Sequence, residues 1–169
     1  MSAAAPSPTC VLDANFIINL IHVARLDLLA ALGSYRFVVP DEVVEEITEP
    51  SQQQWLRDAL NKGYVQQESI TDPAELATFA ELRGLMGKGE AACLALAQSR
   101  GWIIVSDEKR RFRREVISRL GSGRLITTPG FFITAIRAGV ISIEEADEAK
   151  ELLEQHRFRT NFRSFREVI

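Results

Sequence analysis

Four acidic residues stand at points where folding could bring carboxylates together: Asp13, Glu46, Glu90 and Asp107. Asp13 directly follows a short apolar run, Asp107 follows another after one serine, Glu46 lies in a predicted helix and Glu90 begins an alanine-rich segment. Carboxylates held close together repel one another unless protons or a cation neutralise them. A hard divalent cation accepts carboxylate oxygens and leaves positions for water and phosphate oxygens. The pattern therefore indicates metal-assisted hydrolysis of a phosphodiester.

Each acid also has a purely structural explanation. Asp13 and Asp107 could cap the helices that follow them, and Glu90 could occupy a helix first turn, where the helix dipole favours a carboxylate. Glu46 shares its segment with Glu42 and Glu45, either of which would replace it after a shift of about one turn. Capping does not explain why an acid follows an apolar run twice, at the sheet edge where ligands bind. Asp13 and Asp107 are therefore the strongest candidates, and Glu46 is the weakest.

Short apolar runs alternate with segments of helical periodicity, which is typical of βαβ units around a buried parallel sheet. Strands are predicted at residues 10–12, 37–39, 102–105 and 124–127, with a weaker edge strand or loop at 64–67. Helices are predicted at residues 42–48, 74–83, 90–99, 108–120 and 130–138, several of them with proline near the start. We expect a three-layer α/β/α sandwich around a mainly parallel sheet of four or five strands.

Length and composition fit one domain. The chain has 169 residues, of which 46% are hydrophobic, and a formal net charge of -3. We predict a flexible leader at residues 1–9, a main domain at 10–141 and a C-terminal helical extension at 142–169 that packs on the same domain. The net charge argues against a general nucleic-acid coat and leaves room for local basic patches. Cys10 and Cys93 lack metal-binding spacing, and no secretory or membrane segment is evident, so we expect reduced thiols and a cytoplasmic location.

Four segments resemble the successive acidic motifs of PIN-domain nucleases: residues 11–15 (VLDAN), 40–47 (PDEVVEEI), 87–92 (GKGEAA) and 105–109 (VSDEK). Residues 127–142 also resemble a prokaryotic PIN subfamily. The order and spacing of these motifs are specific together, although no single motif is. The resemblance covers nearly the whole chain.

The resemblance implies a metal-dependent endoribonuclease that leaves a 5′-phosphate and a 3′-hydroxyl, often the toxin of a toxin–antitoxin pair. Asp13, Glu46, Glu90 and Asp107 would be its catalytic and metal-binding residues, with Mg²⁺ or Mn²⁺ as the cofactor. Asn15 and Ser106 would be polar neighbours that orient water or phosphate. A homodimer and an antitoxin protein are the expected protein partners, and RNA is the expected substrate.

A dense basic run follows Asp107, and its members are RNA-contact candidates together with a lysine in the glycine-containing loop: Lys109, Arg110, Arg111, Arg113, Arg114 and Lys88. The same run could equally form a solvated helix with Phe112 turned inward. The C-terminal segment is predicted as an amphipathic helix with Phe158, Phe162, Phe165 and Ile169 on one stripe. That stripe would pack on the protein's own core or dock a second protomer or an antitoxin.

Two other acid-based enzyme classes fit poorly. A phosphatase with an aspartyl nucleophile needs a second aspartate two positions after Asp13, where the chain has Asn15, and a response-regulator receiver lacks its paired acid. The alternative that stays open belongs to another class of function: a PIN-like module that keeps the acidic pocket, cleaves nothing, and binds RNA or a regulatory partner.

Overall fold

The computed structural model describes residues 5–169, so the first four positions of the predicted leader lie outside the described residues. A five-stranded parallel sheet forms the centre of the molecule, in the order β3-β2-β1-β4-β5. The strands are β1 (Thr9–Leu12), β2 (Arg36–Pro40), β3 (Gln66–Glu68), β4 (Ile103–Val105) and β5 (Leu125–Ile126). The weakly predicted strand is real and occupies one edge. The central β1 pairs on both sides, with Val11 opposite Val38 of β2 and Ile104 of β4.

Helices cover both faces of the sheet. Within residues 5–169 they are α1 (Ala14–His22), α2 (Leu28–Ala31), α3 (Asp41–Glu46), α4 (Pro50–Asn61), α5 (Pro73–Leu82), α6 (Lys88–Arg100), α7 (Arg111–Leu120), α8 (Thr128–Arg137) and α9 (Ile143–Gln155). Short 3-10 helices lie at Ser122–Arg124 and Phe165–Glu167. The predicted three-layer α/β/α sandwich with a parallel sheet is confirmed. None of the helices in the described part is long and apolar enough to cross a membrane.

The hydrophobic core lies on both sides of the three central strands. Successive residues of β1 and β2, such as Val11 and Leu12 or Val38 and Val39, are completely buried. Because neighbouring side chains of a strand point to opposite faces, this burial requires a helical layer on each face. Helix α6, which contains the alanine-rich segment, is buried on all sides, since residues 91–97 are all inaccessible to solvent. Cys10 and Cys93 are buried free thiols, and burial raises the pKa of Cys10 to about 12.

The sequence did not reveal helix α4. Its start signals are present, because Pro50 is its first residue and the Glu49 carboxylate accepts hydrogen bonds from the backbone N–H groups of Ser51 and Gln52. The helix is mostly polar, however, and buries only Leu56 and Ala59. Two buried residues in three turns give too weak a periodicity to detect.

The predicted amphipathic helix at the C-terminus is wrong. Helix α9 ends at Gln155, and Arg157 adopts a positive φ of 65°, which turns the chain out of the helix. Asp147 of α9 then accepts hydrogen bonds from Ser164 Oγ (2.6 Å) and from the backbone N–H of Phe165 (2.8 Å). These side-chain bonds take the place of backbone hydrogen bonds of a helix, and the chain folds back on α9. Phe165 is buried, with its ring centroid 5.9 Å from that of Phe132, so this aromatic residue does pack on the core.

A buried ion pair joins α5 to α6. The Glu75 carboxylate, only 2% exposed, accepts hydrogen bonds from Arg100 Nε (2.7 Å) and Nη2 (3.0 Å). The hydrogen bonds from Arg100 hold the pKa of Glu75 below its usual value. Arg100 also reaches Glu68 of β3 at 3.2 Å, so one guanidinium fixes the C-terminus of α6 against two neighbouring elements.

Replacing Arg100 by alanine would leave the buried Glu75 carboxylate without its charged partner. We expect Arg100→Ala to lower the free energy of unfolding by about 3 kcal/mol at neutral pH, measured by urea denaturation. The pKa of Glu75 is lowered in the folded state, so this stabilisation is present above the unfolded pKa and disappears as pH falls through the folded pKa. The difference between variant and wild type should therefore shrink in acid. Arg137→Ala, which removes an exposed arginine from α8, is the control; an equal loss there would contradict the ion-pair explanation.

Candidate active site at the carboxyl edge of the sheet

Asp13 is the fixed centre of the acidic edge. It follows β1, and its backbone N–H donates to the Val105 carbonyl at the end of β4 (3.0 Å). One side-chain oxygen accepts from the Ala14 N–H (2.8 Å), and the other accepts from Ser106 Oγ (2.8 Å). The side chain is only 3% exposed, and burial raises its pKa to about 6 despite these hydrogen bonds. Asp13 therefore caps α1 and also presents a carboxylate at the sheet edge.

Glu46 is the last residue of α3, and its side chain reaches the first turn of α6. Its Oε1 accepts a hydrogen bond from the buried backbone N–H of Gly89 at 2.7 Å. A Cβ on residue 89 would lie 2.5 Å from Glu46 Oε2, so this close approach requires glycine. Glu45 points elsewhere and forms a salt bridge with Lys88, while Glu42 has a buried Oε2 without a hydrogen-bond partner. Of the three glutamates on α3, Glu46 is the one that lies over the backbone of α6.

Glu90 lies in the first turn of α6 and is half-buried. Its carboxylate accepts no hydrogen bond from the described residues. Its pKa is raised to about 7, first by burial and then, in decreasing order, by the negative charges of Glu108, Asp13 and Glu46. The same pattern holds for Asp13, whose pKa is also raised by Glu108 and Glu46. Four carboxylates thus share one region, and Glu108 is one of them.

Glu108 is the acid that sequence reasoning missed. Its Oε1 accepts from Asn15 Nδ2 (3.1 Å), and its backbone N–H donates to Ser106 Oγ (3.1 Å). Asn15 and Ser106 contact carboxylates and the backbone beside them, and their expected role in orienting water or phosphate stays a prediction. A signal did exist in the sequence. Adjacent residues in extended chain point to opposite sides, so only one of Asp107 and Glu108 could share a side with Ser106.

Asp107 uses its carboxylate differently. Its Oδ1 accepts from the Thr128 N–H (2.8 Å), and its Oδ2 accepts from Asn19 Nδ2 (3.0 Å) and from the Thr128 hydroxyl. It is not among the charges that raise the pKa of Asp13 or Glu90. These contacts tie the loop after β4 to α1 and α8, and they are typical of a positioning residue. Its predicted role as a metal ligand stays a prediction.

A family model described as a PIN domain (DUF3368) matches residues 9–169, nearly the whole chain. The chain belongs to the PIN-domain family. PIN domains are generally nucleases and typically use divalent metal ions. No curated protein matches the chain significantly.

The acids of this PIN domain have the donor chemistry that Mg²⁺ or Mn²⁺ prefers, since all are carboxylates without a soft ligand. Within residues 5–169, no three His, Cys, Asp or Glu side chains are arranged to hold a metal ion as they stand. Glu46 and Glu108 are both exposed, so rotation of their side chains could close the set around a cation. The pKa values of Asp13 and Glu90 are raised first by burial and then by neighbouring carboxylates, and a divalent cation would favour the ionised form of both groups.

The predicted RNA-contact residues separate into groups. Lys88 pairs with Glu45, and Arg111 donates to the Leu85 carbonyl at 3.0 Å. Lys109 and Arg113 line a cleft of about 680 Å³ that begins beside Asp107 and Glu108. The remaining two, Arg110 and Arg114, are exposed outside that cleft lining. Phe112 is buried, as expected for the inward side of α7.

Gly89 provides a test of Glu46 that leaves every carboxylate in place. The new Cβ of Gly89→Ala would collide with the end of a flexible side chain, so Glu46 should be displaced while α6 survives. We expect the affinity for Mn²⁺, measured by titration calorimetry, to fall about tenfold. The free energy of unfolding should change by no more than about 1 kcal/mol. Gly33→Ala, at a position with no heavy atom within 4 Å of the new Cβ, should leave affinity unchanged. Unaltered affinity in Gly89→Ala would argue against Glu46 as a ligand.

The pKa of Glu90 predicts an inverted pH dependence for the metal-free protein. A carboxyl with pKa about 7 when folded, against an ordinary value of about 4.3, binds its proton more tightly in the folded state. Stability is then lost as pH rises from about 4 to 7. Relative to Glu90→Gln, the wild type in excess chelator should lose about 1–2 kcal/mol between pH 5 and 8, after allowance for solvent screening. Denaturant unfolding at each pH measures this, and a pH-independent difference would contradict it.

Proposed function

We propose that this PIN domain is a Mg²⁺- or Mn²⁺-dependent endoribonuclease. The observation that supports the proposal most directly is the convergence of Asp13, Glu46, Glu90 and Glu108 at the carboxyl edge of the sheet, where burial first and neighbouring carboxylates second raise the pKa values of Asp13 and Glu90. Like charges gathered at a ligand-binding edge destabilise the fold unless a ligand uses them. Membership of a nuclease family supports hydrolysis as that use.

The metal would be held by Asp13, Glu46, Glu90 and, as the fourth ligand, Glu108. When bound, it would lower the pKa of water and stabilise charge on phosphate oxygens. In the reaction, water oxygen forms a bond to phosphorus, the bond from phosphorus to the 3′-oxygen breaks, and that oxygen takes up a proton. The products are a 5′-phosphate and a 3′-hydroxyl, as the family resemblance implies.

The protein's own groups keep the carboxylates in place for this reaction. Ser106 and the Ala14 N–H orient Asp13, the Gly89 N–H orients Glu46, and Asn15 orients Glu108. Glu90 is half-buried and free of hydrogen bonds from the described residues. In its ionised form it is the member best placed to accept a proton or to shift towards a cation.

Substitution of individual acids tests the activity and the identity of the fourth ligand together. We expect Asp13→Asn and Glu108→Gln to reduce Mn²⁺-stimulated cleavage of a labelled single-stranded RNA by about 100-fold or more. Asp107→Asn should instead lower the free energy of unfolding by about 1–2 kcal/mol, because it weakens hydrogen bonds to Thr128, and should keep Mn²⁺ affinity. If Asp107→Asn loses Mn²⁺ affinity and Glu108→Gln does not, Asp107 is the ligand that the sequence predicted.

Glu45→Gln is the matched control, since it removes an exposed carboxylate one position from Glu46 that faces Lys88 instead of the acidic group. It should cleave like the wild type. Equal cleavage by wild type and Asp13→Asn, or cleavage that persists in excess chelator, would refute the metal-dependent mechanism.

The second candidate function is a PIN module that binds RNA or a regulatory protein without cleaving. Its support is that no three acidic side chains in the described part are arranged around a metal position. This candidate expects salt-sensitive RNA binding with no Mn²⁺-dependent product. The same cleavage assay, run beside a binding titration, separates the two.

The family resemblance supports a further proposal on biological context: a homodimeric toxin, neutralised by a cognate antitoxin, that acts on RNA in the cytoplasm. The buried free thiols of Cys10 and Cys93 are compatible with a reducing compartment. A gene for a small antitoxin beside the coding gene, and co-purification of its product, would support the toxin role.

A further inference from the structure

A positively charged cleft adjoins the acidic edge. It has a volume of about 680 Å³, within the usual range of about 300–1,000 Å³ for ligand sites. Asp107 and Glu108 form its inner end, and the C-terminal residues 157–162 form its outer wall. Its lining includes four cations and two aromatic rings: Lys109, Arg113, Arg157, Arg159, Phe158 and Phe162.

The four cations of the cleft are free for a ligand. None of them has a carboxylate within salt-bridge distance in residues 5–169, whereas Lys88, Arg100, Arg119 and Arg166 all do. These four positive charges lie together along one cleft, and the carboxylates at its inner end do not pair with them. Such a cluster of cations attracts an anion.

The aromatic residues of the cleft indicate what kind of anion it is. Phe158 and Phe162 are only half-buried, unlike Phe165, which is packed in the core. Their other faces pack against the core, so each ring is only partly accessible from the cleft. Partly accessible aromatic rings beside arginine side chains are features on which unpaired bases stack while the cations track the phosphates. Bases within a duplex are already stacked and cannot use such rings.

Several contacts hold the outer wall of the cleft in place. Thr160 Oγ1 donates to the Phe162 carbonyl (3.1 Å), and the rings of Phe162 and Phe165 meet edge to face at 5.0 Å. The His156 ring stacks on His22 of α1 with 3.6 Å between centroids. Together with the bonds that Asp147 makes, these contacts hold the tail against α1, α8 and α9.

We propose that this cleft binds the nucleotides of single-stranded RNA that flank the bond cut at the acidic edge. The inference rests on the proposed function and assigns its substrate-binding surface. Arg157 and Arg159 contact phosphates, Phe158 stacks on a base, and Lys109 and Arg113 guide the strand towards Glu108. The C-terminal tail is thereby part of the substrate site.

The test measures binding of the full chain to a fluorescent single-stranded RNA of about 12 nucleotides by fluorescence anisotropy. Excess chelator is present so that no cleavage occurs. For the double variant Arg157→Ala/Arg159→Ala, the negative slope of log K for RNA binding against log salt should become shallower by roughly 1.4, which is about 0.7 for each lost phosphate contact. At about 0.15 M salt this corresponds to a Kd about tenfold higher. Phe158→Leu, which keeps an apolar side chain, should raise Kd at least about fivefold.

The matched control is Arg163→Ala/Arg166→Ala, which removes the same charge from the same tail outside the cleft lining. An unchanged slope in Arg157→Ala/Arg159→Ala overturns the inference, as does an equal loss in the control or equal affinity for the corresponding duplex. Thermal unfolding confirms that each variant is folded. If the cleft variants lose binding while the wild type fails to cleave with Mn²⁺, the cleft assignment stands and the proposed catalysis fails. If the wild type cleaves and the cleft variants bind normally, the proposed catalysis stands and the cleft assignment fails.

Discussion

The constraint on which the rest of this structure depends is the gathering of partly buried carboxylates at one edge of the sheet. Asp13, Glu46, Glu90 and Glu108 come from β1, α3, α6 and the loop after β4, and their charges oppose one another. The sheet order places β1 beside β4, so the residues that follow these strands must meet. Hydrogen bonds from Ser106, the Ala14 N–H, the Gly89 N–H and Asn15 then hold three of the four carboxylates. The hydrophobic core stabilises an edge that its own charges would push apart.

The contact between α3 and α6 shows how closely this edge depends on packing. Glu46 reaches the backbone of residue 89 only because that residue has no side chain. The far end of α6 is fixed by the ion pair between Arg100 and Glu75. One buried helix therefore has a structural anchor at its C-terminus and part of the acidic edge at its N-terminus, so its position sets the spacing of the acids.

Features that depend on local sequence pattern could be predicted from the sequence. The apolar runs located β1, β2, β4 and β5 and only weakly indicated β3, the apolar character of α6 agrees with its burial, and Asp13 lies directly after β1, as its place in the sequence predicted. Alternation along the chain put Asp107 and Glu108 on opposite sides, but only a tertiary contact, that of Asp107 with Thr128, shows which of the two faces the other acids. The C-terminal stripe was misread for a related reason. Asp147 captures the backbone at Phe165, a tertiary contact that periodicity does not reveal.

The C-terminal tail separates the two halves of the proposed site along the chain. Every carboxylate of the acidic edge lies at or before Glu108, whereas two of the four cleft cations belong to residues 157–162. A chain synthesised from its amino end completes the anionic edge first and gains those cations only when its last segment docks. During synthesis, the proposed site therefore has all four carboxylates before it has Arg157 and Arg159.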